Sequence, residues 1–145
     1  MTTVLTATCA TAATLLRVPH VTIWRADEAT QTLTLQALSN AHIGHSFPKT
    51  TLHFGQGGLG WEAQHRQSLH IPDVFADGRL LTLDWWRTYG FCSCSITPIV
   101  HQKNLLGVLN MIGKVPFCFS PDDRWLLEQL LAQAAASNYR SAWRL

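Results

Sequence analysis

The sequence predicts an α+β fold: a central antiparallel sheet of five to six strands with helices on both faces. Three observations predict it. Two pairs of strand-like segments are each joined by a short polar turn, which makes antiparallel hairpins. The hairpins lie on either side of a glycine-rich stretch, so the strand–helix–strand alternation of a parallel sheet is missing. Helical periodicity occupies both ends. The chain has 145 residues, 47% hydrophobic and 14% charged, which suits one domain over residues 1–145 with a core of its own.

Residues 2–17 read as a helix, because Leu5, Cys9, Ala12 and Leu16 recur at helical spacing and Pro19 closes the segment. "HVTIWRA" (20–26) and "TLTLQAL" (32–38) alternate and flank the turn "DEATQ". Residues 58–66 form a short helix starting on the glycines, and "SLHI" (68–71) is a short strand ended by Pro72. "LLTLDWWRTY" (80–89) is a short helix or helical loop stopped by Gly90. "CSCSITPIV" (92–100) and "NLLGVLNMI" (104–112) pair across "HQK". In the last helix Ser120 caps, Pro121 takes the first position, and Asp122 and Asp123 face the positive end of the dipole. Leu127, Leu130, Leu131 and Ala134 make its buried stripe.

"HFGQGGLGWEAQ" (53–64) carries Gly55, Gly57 and Gly60 as G-x-G-x-x-G, with Asp73 downstream. That spacing is the fingerprint of a dinucleotide turn only when a buried parallel strand precedes it. The preceding "TTLHF" is short and half polar, and the flanking elements are antiparallel hairpins, so a nicotinamide or flavin site is not expected. Glycine permits positive φ and close approach of a helix to a sheet, so the glycines are read mainly as structural. The free N–H groups of the following helix leave a secondary option, an anion.

The net charge is +2 and the Lys and Arg residues are scattered, which argues against nucleic acid. No apolar run approaches the ~18 residues of a membrane span. The N-terminal segment has no Lys or Arg before Arg17 and reads as a helix of the fold. Cys9, Cys92, Cys94 and Cys118 form no C-x-x-C pair, which favours a reducing cytoplasm. His42, His45 and His53 fall in a polar loop without metal-ligand spacing, so no metal site is expected.

From "FGQGGLGWEAQHRQSLHIPDV" onward the chain resembles a GAF domain, a small-ligand sensor module. The resemblance continues in "GFCSCSITPIVHQKNLLGVLNM", where Gly90, Ser93, Pro98, Gly107, Val108 and Leu109 sit at matching places. It ends in "FSPDDRWLLEQLLAQAA" and so covers essentially the whole chain. It implies an α/β/α sandwich of the GAF/PAS type. It also implies a ligand between one sheet face and the segment after the glycines, with Asp73 at the family's aspartate. That segment, 61–91, carries Trp61, Phe75, Trp85, Trp86, Tyr89 and Phe91. These rings either cage a flat or apolar ligand or plug the pocket themselves. Along the 92–100 strand, Ser93, Ser95, Thr97 and Ile99 share one face and Cys92, Cys94, Ile96 and Pro98 the other. If the hydroxyls face the aromatic segment, they bind a ligand with hydrogen-bonding edges.

Family variants make sharper demands. The GAF subfamily that reduces free methionine sulfoxide has a cysteine beside the glycine turn and a Ser-Glu run, and this chain has neither. No cysteine is followed by His, as bilin attachment often requires, and a haem needs only one axial His. Of the cyclic-nucleotide constellation the chain keeps Lys114, Phe119 and Asp123 but has Gly113 and Arg124 where the family has Asn and Glu. The resemblance therefore implies a non-catalytic sensory domain with no assigned cofactor. It would homodimerise through its terminal helices, where Tyr139 and Trp143 stand four apart, and pass a signal to an output domain. A ligand-free dimerisation module is the first alternative, followed by a thiol-based free methionine sulfoxide reductase or a cyclic-nucleotide-binding GAF domain.

Overall fold

The structure, a computed structural model, describes residues 3–44, 47 and 49–136. Helix α1 (Thr3–Leu16) buries Leu5, Cys9, Ala12 and Leu16, the four positions that helical spacing aligns. It ends in a Schellman turn in which Arg17 takes φ 58° and the Val18 N–H donates to the Ala13 carbonyl at 3.1 Å.

Two hairpins make most of the sheet. β1 (His20–Asp27) and β2 (Thr32–Leu38) pair antiparallel, and the Asp27 carboxylate accepts from the Ala29 and Thr30 N–H groups in the turn. β5 (Ser93–His101) and β6 (Asn104–Gly113) are joined by Gln102 and Lys103, both at positive φ (50° and 69°). A two-residue turn of this kind matches the strand twist but favours Asn and Gly. Two three-residue strands, β3 (Thr51–His53) and β4 (Leu69–Ile71), close the edges. The order is β3-β2-β1-β6-β5-β4, with all pairs antiparallel. The six-stranded sheet is thus as expected, with "TTLHF" contributing its edge. A short helix, α2 (Ala41–Gly44), was not expected; the Asn40 side-chain oxygen caps it by accepting the Ile43 N–H at 3.2 Å.

Each face of the sheet carries its own apolar layer. Val21, Ile23, Ile99, Leu109 and Met111 meet α1 and α5 (Pro121–Ala136). Trp24, Cys94, Ile96, Val108 and Ile112 point the other way, toward α3 (Gly57–His65), α4 (Leu83–Tyr89) and the loops around them. The terminal helices therefore lie opposite the aromatic segment, as the family resemblance implies. Helix α5 starts as expected: the Asp123 N–H donates to Ser120 Oγ, and the Ser120 N–H donates back to Asp123 Oδ2. Tyr139 and Trp143 lie outside the described residues.

The glycine-rich stretch fixes α3 against the end of β3. A Cβ on Gly60 would stand 2.5 Å from the His53 carbonyl oxygen and 3.0 Å from the Gly55 nitrogen, so only glycine fits. The Gly55 N–H donates to the Gly60 carbonyl at 2.8 Å, folding the turn onto the helix it precedes. Gly57 enters α3 at φ 67°.

Candidate functional site

The floor of the candidate site is the sheet face formed by alternate residues of β1, β6 and β5. Antiparallel register places His20 beside Ile112 and Ile112 beside Cys94; Thr22 lies beside Asn110, and Asn110 beside Ile96. The roof is α4 with the loop before it, and the flank is the start of α3. Between them lies a cavity of about 70 Å³ whose walls include Trp24, Phe47, Trp85, Trp86, Ile96 and Asn110. The first residues of α3, Gly57 to Leu59, also reach it, and exposed Lys49 stands at its rim.

The polar groups of this floor are few. Thr22 Oγ1 accepts the Trp24 indole N–H at 3.1 Å. Asn110 is buried and its side-chain oxygen has no partner. His20 is fully buried and neither ring nitrogen has a partner; burial pushes its pKa down to about 4, so the imidazole is neutral. On α3, Glu62 is also fully buried with both carboxylate oxygens unpartnered, and burial pushes its pKa up to about 8. Cys94 lines the cavity as a buried thiol whose pKa rises to about 12, so it is no nucleophile at neutral pH.

The rings expected in the 61–91 segment divide into two sets. Trp85, Trp86 and Phe91 are buried and, with half-buried Tyr89, form one aromatic cluster; the centroid of Trp85 lies 5.6 Å from both Trp86 and Phe91 and 5.4 Å from Tyr89. Only Trp85 and Trp86 of this set wall the cavity. Trp61 and Phe75 lie outside it. Trp61 stacks on His65 at 4.2 Å with the Arg79 guanidinium 4.8 Å from its ring, and Phe75 is exposed beneath Arg87. Asp73 is exposed and accepts the Phe75 N–H at 3.0 Å, the work of a turn residue.

The strand hydroxyls require a correction. Ser93, Ser95 and Thr97 sit opposite Gly113, Met111 and Leu109 on the face that meets α1 and α5, and none lines the cavity. Ser93 donates to the Val115 carbonyl at 2.5 Å, a structural bond closing the start of β5 onto the chain after β6. Alternation had sorted β5 into two faces correctly, but the cavity belongs to the Cys94–Ile96 face. The polar residue that β6 gives it is Asn110, which the sequence reading passed over. Its signal was an amide inside the otherwise apolar "LLGVLNMI" (105–112), two residues along β6 from Val108 of the same layer. His20, Trp24 and Phe47 were also missed.

Lys114 and Asp123 do not form an ion pair; Asp123 instead caps α5. Among the described residues no group of three or more His, Cys, Asp or Glu is placed to hold a metal ion, and no helix is long and apolar enough to cross a membrane.

The comparisons agree with this architecture. The GAF domain family model matches residues 1–137. The GAF domain from Acinetobacter phosphoenolpyruvate-protein phosphotransferase superposes with a TM-score of 0.75 at 20% identity, covering 94% of this chain and 82% of that one. Type II free methionine-R-sulfoxide reductase from Thermoplasma acidophilum gives a TM-score of 0.77 at 14% identity, over 96% and 92% of the two chains. A putative GAF sensor protein from Burkholderia vietnamiensis gives 0.70 at 22% identity, over 95% and 84%. These likenesses carry the fold. The curated proteins contain no match.

Proposed function

The chain belongs to the GAF domain family, and from that premise we propose that it is a non-catalytic sensory domain whose ligand enters between Trp85–Trp86 and the Asn110 floor. The observation that carries this reading is the cavity: an apolar, ring-walled space with one buried, unpartnered amide oxygen facing it. Pockets that select small molecules combine apolar walls with a few polar groups in this way. Two more rings of the expected set, Phe91 and Tyr89, support the roof from behind. Ligand entry would shift α4 and the strands beneath it, and the sheet would pass that bias to α1 and α5 on its other face.

Non-catalytic function is supported by the thiols. Cys94 alone of the four reaches the cavity, and it is held protonated. Dimerisation through α1 and α5 is supported by Val4, Leu15 and Trp125, which expose 44%, 48% and 61% of their surfaces on those helices. The output would reside in a neighbouring domain or a partner protein, and the domain would work in the cytoplasm.

Native mass spectrometry of the purified chain tests the ligand directly. A retained small molecule, released on unfolding, is the expected result. A chain that retains nothing, shows no change in tryptophan emission with a metabolite extract, and is still dimeric would be the ligand-free dimerisation module instead.

A further inference from the structure

We propose that Phe47 is an internal stand-in for the ligand, and that the ligand is a single-ring heteroaromatic compound stacked on His20 and read by Asn110. This rests on the sensor reading above and adds to it what enters and what must leave.

As it stands the cavity is too small. At about 70 Å³ it has roughly half the ~150 Å³ of an apolar cavity that admits benzene. Some side chain has to withdraw before any ring can enter. Phe47 is the side chain placed to do so. Its ring stacks on Trp85 at 4.7 Å with an interplanar angle of 18°, stacks on His20 at 5.6 Å and 28°, and meets Trp24 edge-on at 6.2 Å. Those three rings are buried on strands or a helix, whereas Phe47 is half-buried and comes from the connection between α2 and β3. A flat group thus already stacks on two rings, Trp85 and His20, and a flat ligand in its place would keep both stacks.

The floor supplies the chemistry. Phe47 covers His20, whose two nitrogens have no partner, and lines the same cavity as the unpartnered Asn110 oxygen. A hydrocarbon ring satisfies none of these atoms. Register puts His20 and Asn110 diagonal to each other on adjacent strands and on one face. The amide oxygen of Asn110 accepts. The complementary ligand therefore carries an N–H or O–H for Asn110, while His20 offers it a ring face to stack on. No ionised side chain lies on this floor, and among the described residues the one cation lining the cavity is Lys49 at its rim, so a cationic ring would be buried unpaired.

The test is calorimetric titration of the wild-type chain and of Phe47→Ala with 2-pyridone, which has an N–H beside a carbonyl, and with benzene as its apolar counterpart. The expected result is that Phe47→Ala binds 2-pyridone at least about tenfold more tightly than the wild-type chain, because the competing ring is gone. It should also prefer 2-pyridone to benzene by about tenfold, and adding Asn110→Leu should erase that preference. Should Phe47→Ala not fold, Phe47→Leu removes the flat ring while retaining apolar filling, and the same outcome is expected. No gain in affinity, or equal affinity for benzene, overturns the proposal. If the wild-type chain then still retains a natural small molecule in native mass spectrometry, the sensor reading survives without this one. If it retains nothing, both fall.

Discussion

Glu62→Gln is expected to abolish a loss of stability that the wild-type chain suffers between pH 6.5 and 8. Glu62 is fully buried without partners, and burial raises its pKa from 4.5 to about 8. The folded chain therefore binds this proton more tightly than the unfolded one. The resulting stability is full below pH 4.5 and is lost as pH rises through 8, at about 1.36 kcal/mol per pH unit, or ~5 kcal/mol at most. His20 acts in the opposite sense. Its pKa falls from 6.5 to about 4, so its contribution is present above pH 6.5 and is lost as pH falls through 4, ~3 kcal/mol in all. Between pH 4.5 and 6.5 the two slopes cancel. Above 6.5 the Glu62 slope stands alone and removes about 2 kcal/mol by pH 8. Urea unfolding followed by tryptophan emission at pH 4.5, 6.5 and 8 reads this pattern. In Glu62→Gln the fall above pH 6.5 should vanish, and a rise of about 2–3 kcal/mol from pH 4.5 to 6.5, due to His20, should be uncovered. A variant whose profile runs parallel to wild type from pH 6.5 to 8 would refute the assignment.

Other expectations follow from single contacts. Gly60→Ala drives a Cβ into the backbone of β3 and should cost about 2–3 kcal/mol, whereas Gly58→Ala meets Ile96, Leu80 and Ile71 at 3.4–3.7 Å and should stay within about 1 kcal/mol of wild type; urea midpoints decide both. Gln102→Asn with Lys103→Gly relieves two residues at positive φ and should raise stability by about 1–2 kcal/mol in the same assay. Exposed Cys118 should react with an aromatic disulfide reagent in the native chain. Buried Cys9 and Cys94, both pushed to about 12, should label only on unfolding, as mass spectrometry of the modified peptides will report.

The fold was legible wherever local chemistry and the period of the apolar residues agreed. Helix α5 shows both: Ser120 and Asp123 cap each other, and Leu127 and Ala134 enter the core. The two hairpins were equally plain from their alternation, although the β5–β6 turn uses Gln and Lys where Asn and Gly are preferred. Strand β3 was harder to read, since three residues in an exposed–buried–exposed pattern at a sheet edge carry little periodicity. The four-residue α2 depends on one Asn cap, too short a signal for a window-based reading.

The site was less legible for a geometric reason. A strand's alternation defines two faces but cannot say which one meets which layer, since that depends on register across the sheet. On β5 the choice turns on Ile96 lying beside Asn110, and Asn110 beside Thr22 on β1, all pointing toward Trp24 and Trp85. Ile96, Asn110 and Thr22 stand far apart in sequence. The hydroxyl row of Ser93, Ser95 and Thr97 was chemically conspicuous, yet it serves the other layer, where Ser93 finds a carbonyl at once. Asn110 and His20 were inconspicuous singly and matter because they share a face and lack partners. A fold seeking stability alone would gain by pairing or replacing such groups, since each unsatisfied buried polar atom costs about 1–3 kcal/mol. Their presence on one face, His20 under the Phe47 ring and Asn110 in the wall of the cavity, is what makes this face, rather than the hydroxyl row, the place to look for a ligand.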